Sequence, residues 1–227
     1  MIIAIGVILS IVIGYLLGSI SNGVLIGKIF FKIDIRTMGS HNSGGTNTGR
    51  ILGKKFGFLT ICLDAIKTII AMWLCYFITL GVKDLVGLDT SFASYFAYIA
   101  GFAACIGHSF PIFFSFKGGK TVACLAGICL ATNWILCVIG LTFFFIVLIL
   151  SKYVSLGSIL SSLLIAILTF MPFVREYGMF FGLVGDIYFS ILFIVVFIFL
   201  TIRHHQNIAR IIKDEENKIS WLSKKSK

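Results

Sequence analysis

Residues 39–50 read GSHNSGGTNTGR. The glycines tolerate positive φ and let neighbouring backbone N–H groups point into one concavity. Such nests bind anions, most often phosphate. Ser40, Thr46 and Thr48 add hydroxyl donors, and Arg50 adds a planar fork that fits phosphate oxygens. No Gly-Lys-Ser/Thr follows, so the segment is not a nucleotide-binding P-loop. Alone, it could equally be a polar connector.

Three further stretches carry similar chemistry. Residues 107–123 read GHSFPIFFSFKGGKTVA, with Gly118 and Gly119 held between Lys117 and Lys120 just ahead of an apolar run. Backbone donors, a helix N-terminus and ammonium groups together make an anion site. The alternative is a tight turn whose lysines anchor at lipid headgroups. Residues 203–218 read RHHQNIARIIKDEENK, which puts His204, Asn207 and Arg210 on one face if a helix runs through them. A basic tail lying on anionic lipid is the competing reading. Residues 151–158, SKYVSLGS, place Ser155 and Ser158 around Gly157, a pattern that also serves close helix packing.

Some chemistries are missing. The carboxylates form no cluster of the kind that holds two metals, and no Ser-His-acid set is evident. No His is followed five residues later by Asp, and no D-x-x-D-G pattern occurs. An enzyme built from these residues needs a substrate that is already activated. The six cysteines lie inside apolar runs without C-x-x-C spacing, which predicts packing rather than a disulfide framework or a zinc site.

The elements that must carry these stretches are apolar helices. Of 227 residues 59% are hydrophobic and 12% charged, with a mean hydropathy of +1.05. Apolar runs of this kind predict an all-α integral membrane protein in a single polytopic domain, 1–227. The spans are expected at 3–27, 57–80, 90–110, 121–132, 134–150, 154–173 and 185–202. The apolar stretch 121–150 is too long for one span, and Thr132-Asn133-Trp134 offers a turn that splits it. Seven spans leave sixteen Lys and Arg residues on one side, and only Lys83 and Arg175 on the other. The net charge of +10 is thus explained by the positive-inside rule, without nucleic acid. The rule puts the N-terminus outside, and it puts the C-terminus and the loops 28–56, 107–121, 151–158 and 203–218 at the cytoplasmic face. Four polar segments arriving at one face predict a composite site for a phosphorylated substrate.

The motifs resemble those of the bacterial acyl-phosphate:glycerol-3-phosphate acyltransferases. GSHNSGGTNTGR is similar to their G-S-x-N-P-G-A-T-N-x-x-R, and GHSFPIFFSFKGGKTVA to their G-H-x-F-P-x-F-x-x-F-K-G-G-K-G-V-A. RHHQNIARIIKDEENK resembles R-H-R-x-N-I-x-R-L-x-x-G-x-E-x-K. GYLLGSIS, LDAIKT and KYVSLGS add support in family order. The resemblance implies a multi-pass enzyme of the bacterial cell membrane with its active site facing the cytoplasm. Its substrates would be acyl phosphate and sn-glycerol 3-phosphate, its products lysophosphatidic acid and phosphate, and no metal, acyl-CoA or other cofactor would be used directly. It implies catalytic roles for His204 and Asn207. Substrate-binding roles fall to Ser40, Asn42, Thr46, Asn47, Arg50, Lys117, Gly118, Gly119, Lys120, Ser155 and Arg210, with support from Lys67 and Glu216. There are departures: Ser43 replaces Pro, Gly45 replaces Ala, Thr68, Thr121 and Asp214 replace Gly, and His205 replaces Arg. Asp214 puts the turn before Glu216 in question.

A transporter of a phosphorylated metabolite is the main rival, but it needs a polar path near mid-membrane, often with inverted repeats, and none is visible. A non-catalytic scaffold has little use for four anion-binding segments. The charge split makes a prediction. A cysteine introduced at Lys83 should react with an impermeant reagent added outside intact cells, and one at Lys55 should not. The reverse pattern would overturn the orientation.

Overall fold

The computed structural model describes residues 1–180 and 182–219. The tail lysines Lys224, Lys225 and Lys227 counted above lie outside the described residues. The chain divides into two compact units, 1–132 and 133 onwards. The first comprises α1 (Ile2–Gly18), α2 (Asn22–Phe31), α3 (Gly45–Leu52), α4 (Lys54–Val86), α5 (Ser91–Ser109) and α6 (Val122–Thr132). The second comprises α7 (Trp134–Ser151), α8 (Val154–Leu168), α9 (Pro172–Glu176), α10 (Ile187–Arg203) and α11 (His205–Ile212).

By length and composition, Ile2–Phe31, Lys54–Val86, Ser91–Phe114 and Trp134–Ser151 are fit to cross a membrane. The pair α10 and α11 passes the same test if read as one span, bent by 59°. The remaining two expected spans, α6 and α8, are apolar but short. With a rise of about 1.5 Å per residue, α6 reaches only about half of a bilayer core of roughly 30 Å.

Two boundaries have clear causes. Asn133 takes an extended conformation, and its Oδ1 accepts from Leu136 N, capping α7. Its amide nitrogen donates to Val174 O and Tyr177 O at 2.7 and 3.0 Å. The polar step expected to split residues 121–150 does so. The first expected span, 3–27, is by contrast interrupted at 19–21. There the Lys67 ammonium bonds Ile20 O, a carbonyl that a continuous helix would use itself.

Small residues set the closest approaches in the first unit. A side chain at Gly14 or Gly18 of α1 would fall inside the backbone of Ala100 or Ala104 of α5, and one at Gly107 inside that of Tyr15. Lipid supplies no hydrophobic drive between helices, so this backbone proximity and its dispersion contacts hold them. Gly57 of α4 meets Gly45 and Gly49 of α3 in the same way, and Gly127 of α6 meets Ala65 of α4. In the second unit Arg175 binds Thr169 O and Ser190 Oγ, and Ser190 Oγ also donates to Thr169 O. Gly18→Leu should therefore lower the melting temperature in detergent by several degrees or prevent insertion. Gly81→Leu, whose Cβ would meet nothing within 4 Å, should leave it unchanged. Equal melting of both variants would contradict the packing described.

Candidate active site

The polar segment of the first unit is organised by Asn47. Its side chain is buried, and its nitrogen donates to Ile35 O, Met38 O and Asn42 O at 2.8–3.2 Å. Its oxygen accepts from both Ser40 N and Ser40 Oγ. Asn42 Oδ1 in turn accepts from Gly44 N. Asn47 was expected to bind substrate; its amide is instead committed to shaping the loop. Thr46 and Arg50 stand exposed on α3, Arg50 in its last turn. Gly23 and Gly27 of α2 give the loop its floor, because a side chain there would strike Ser43 O, Thr48, Ile33 O and Ile35.

The second motif leaves α5 through Pro111 and a turn in which Ser115 and Phe116 both have left-handed φ, 56° and 58°. Lys117 is exposed, Lys120 half-buried, and Gly118 and Gly119 are buried. Gly119 N donates to His108 O at 2.9 Å. A Cβ on Gly118 would collide with His108 O, and one on Gly119 with the His108 ring at Nε2. The glycines were expected to be needed for close approach to phosphate. The structure supplies a nearer reason: they are packed on His108.

His108 belongs to a buried polar cluster of which only Lys67 was expected to act, in support. Lys67 Nζ lies 2.8 Å from Asp64 Oδ1 and 3.2 Å from His108 Nδ1, and Asn22 Nδ2 donates to Asp64 Oδ1 at 2.9 Å. Asp64, Lys67 and His108 are all at most 5% exposed. An ammonium only donates, so in the neutral ring His108 Nδ1 accepts from Lys67. The spacing of Asp64 and Lys67, three apart on a helix, was the available signal; His108 is far off in sequence.

A second polar group lies between the two loops of this unit. Asp34 takes a forked pair of bonds from Arg36 Nε and Nη2 at 3.0 and 2.7 Å. The Arg36 hydrogen bond holds the Asp34 carboxyl at about 2, against a partial burial that pushes it up. A lowered carboxylate stabilises the fold above its ordinary value of 3.8, and that contribution is lost only as pH falls toward 2. The pair is therefore constant across neutral pH.

In the second unit three predicted residues meet at Glu216. Ser155 Oγ and Asn207 Nδ2 donate to Glu216 Oε1 at 2.9 and 2.6 Å, and Arg210 Nε donates to Oε2 at 2.7 Å. Burial alone would push the Glu216 carboxyl up; the hydrogen bonds from Asn207, Arg210 and Ser155 bring it below its ordinary value. The turn before it forms despite the missing glycine, with Asp214 held at φ 56°. His204, whose shared face with Asn207 depended on a helix running through them, sits at the break between α10 and α11. It is buried, and its Nδ1 lies 2.8 Å from Leu200 O. A carbonyl only accepts, so Nδ1 carries a proton and the neutral ring's acceptor is Nε2. Ser155, Asn207, Arg210 and Glu216 are thus brought together, while Ser40, Asn42 and Asn47 form their own network in the first unit.

Residues 8–214 match the family model for glycerol-3-phosphate acyltransferase. The chain belongs to the glycerol-3-phosphate acyltransferase family. Curated relatives of that name from Staphylococcus saprophyticus and Staphylococcus haemolyticus are each 39% identical, covering 95% of this chain and 99% of theirs. The chain is also similar to two crystal structures of PlsY (YgiH), an integral membrane glycerol 3-phosphate acyltransferase, in its glycerol 3-phosphate and lysophosphatidic acid forms. These are 29% identical, with TM-scores of 0.77 and 0.76, over 95% of this chain and 96% of those chains. The chain is an acyltransferase of an integral membrane family.

Two substitutions follow from this geometry. Gly119→Ala should displace the His108 ring and cost about tenfold or more in catalytic efficiency while the protein still inserts. Wild-type kinetics would show that the loop's seat on His108 is dispensable. Asp214→Gly removes a left-handed L-residue and should raise stability by about 0.5–1 kcal/mol, read from thermal melting. A lower melting temperature would contradict the strain assigned to that turn.

Proposed function

We propose that this chain transfers a fatty acyl group from acyl phosphate to the 1-hydroxyl of sn-glycerol 3-phosphate, releasing lysophosphatidic acid and phosphate. It would do so as a seven-span protein of a bacterial cell membrane, with the N-terminus outside and the polar loops and C-terminus in the cytoplasm. The observation carrying the reading is the match, over nearly the whole chain, to a protein solved in glycerol 3-phosphate and lysophosphatidic acid forms. The short helices α6 and α8 would cross with tilt or in a locally thin bilayer.

An acyl phosphate is a mixed anhydride with a good leaving group. The C1 hydroxyl oxygen attacks the acyl carbon, the bond from that carbon to the phosphate oxygen breaks, and the hydroxyl proton passes to a base. Catalysis then rests on holding two anions in register and on donors for the developing charge. In this reading Arg50, Lys117 and Lys120 offset the repulsion between phosphates, with Ser40 and Thr46 as further donors. Asn47 and Lys67 hold these groups in place, and Glu216 fixes Asn207 and Arg210. The acceptor tautomer at His204 Nε2 suits a base, and a substrate phosphate oxygen could serve as well.

The test is product formation by detergent-purified protein. With acyl phosphate and glycerol 3-phosphate, lysophosphatidic acid and phosphate should appear in equal amounts; no product across varied lipid conditions would sink the reading. His204→Gln then separates the two bases. If His204 accepts the proton, most turnover is lost and the acidic limb of the pH–rate profile vanishes. If the substrate accepts it, the limb persists. Arg50→Lys should cost about ten- to a hundred-fold in efficiency with little pH dependence, because both side chains stay charged and only the fork is lost.

A further inference from the structure

We infer that Arg36 is a positioning residue for the substrate loop Lys117–Lys120, acting through the strained turn that precedes it; the inference rests on the reading of that loop as part of a phosphate-binding site. Arg36 sits in the short 3-10 turn Ile35–Thr37, immediately before the polar segment. One edge of its guanidinium, Nε and Nη2, is fixed by Asp34. The other nitrogen, Nη1, donates to Phe114 O at 2.6 Å and Lys117 O at 3.3 Å. These two carbonyls flank Ser115 and Phe116, the consecutive non-glycine residues with left-handed φ.

The geometry divides the labour. Left-handed backbone crowds the Cβ of an L-residue, so two such residues in a row need holding. The turn's own bonds are Phe114 N and Phe116 N to Pro111 O, and a long Lys117 N to Phe114 O, 3.3 Å. Arg36 adds a charged donor to both ends at once. The guanidinium also lies 6.0 Å from the centre of the Phe114 ring. Asp34 fixes the guanidinium's direction, and its Oδ1 also accepts Arg36 N, so the donor is anchored at backbone and side chain alike. On the far side, Arg36 O lies 3.0 Å from His41 Nδ1, within the first polar segment. One residue thus links the first loop to the second. Lysine cannot replace it, because a single ammonium cannot take a carboxylate fork and two carbonyls in these directions.

The test compares full-length wild-type protein with Arg36→Lys and Asp34→Asn in detergent. Two readouts are taken: amide hydrogen exchange across residues 112–120, and steady-state kinetics with acyl phosphate and glycerol 3-phosphate. Arg36→Lys should speed exchange at 115–120 by about tenfold and raise KM for glycerol 3-phosphate by about tenfold, with kcat within about threefold. Asp34→Asn should move both in the same direction by less, and adding it to Arg36→Lys should change little further. Wild-type exchange and KM in Arg36→Lys would overturn the inference. Faster exchange with an unchanged KM would make Arg36 a structural tie only and overturn it too. If Arg36→Lys fails to insert, Asp34→Asn carries the same two readouts. A wild-type protein that makes no product overturns the functional reading instead, and the exchange data still decide whether Arg36 holds the turn.

Discussion

An ion pair closed off from water, Lys67 with Asp64, underlies the polar architecture of the first unit. Breaking a buried pair by removing one partner costs about 3–5 kcal/mol, because the other charge stays behind. Here both charges have further partners. The ammonium holds Ile20 O where α1 gives way to α2, and the carboxylate takes the Asn22 amide just beyond that break. The pair therefore fixes a helix interruption that hydropathy alone would smooth over. It also sets His108, whose ring seats Gly119 and whose carbonyl binds Gly119 N. The loop that carries Lys117 and Lys120 rests on that seat from below and is held by Arg36 from the side.

Polar groups at such depth must find protein partners, and the same rule explains the other networks. Asn47 meets three carbonyls and a serine, so a loop without apolar side chains keeps one shape. Glu216 does the same in the second unit for Ser155, Asn207 and Arg210. In each network one polar side chain orders several others. In the proposed function this order would serve anion recognition, because groups already held in place need not reorganise when the ligand arrives.

Much of this was legible in the sequence, and the reasons differ by element. Helical character and the break at Asn133 follow from local pattern: long apolar runs, then one residue whose side chain caps the next helix. The interruption at 19–21 was not legible, because its cause is a lysine 47 positions away. His108 was missed for the same reason, and Arg36 because it looked like one more cytoplasmic charge. The motif glycines Gly118 and Gly119 were found, but their packing on His108 was not foreseen. The departures from the family pattern become intelligible in three dimensions. Thr121 and Asp214, both standing in place of glycine, have φ of 72° and 56°. The Thr121 hydroxyl regains something by pairing with Ser109 at 3.0 Å. Ser43, standing in place of proline, is buried, and its hydroxyl is without a hydrogen-bond partner.

The proposed function rests on recognition of glycerol 3-phosphate through its phosphate group. Equilibrium binding of radiolabelled sn-glycerol 3-phosphate to the purified protein, with no acyl donor present, measures this directly. The account predicts saturable binding that inorganic phosphate displaces and glycerol does not. Binding displaced by glycerol but indifferent to phosphate, or no saturable binding at all, would contradict it.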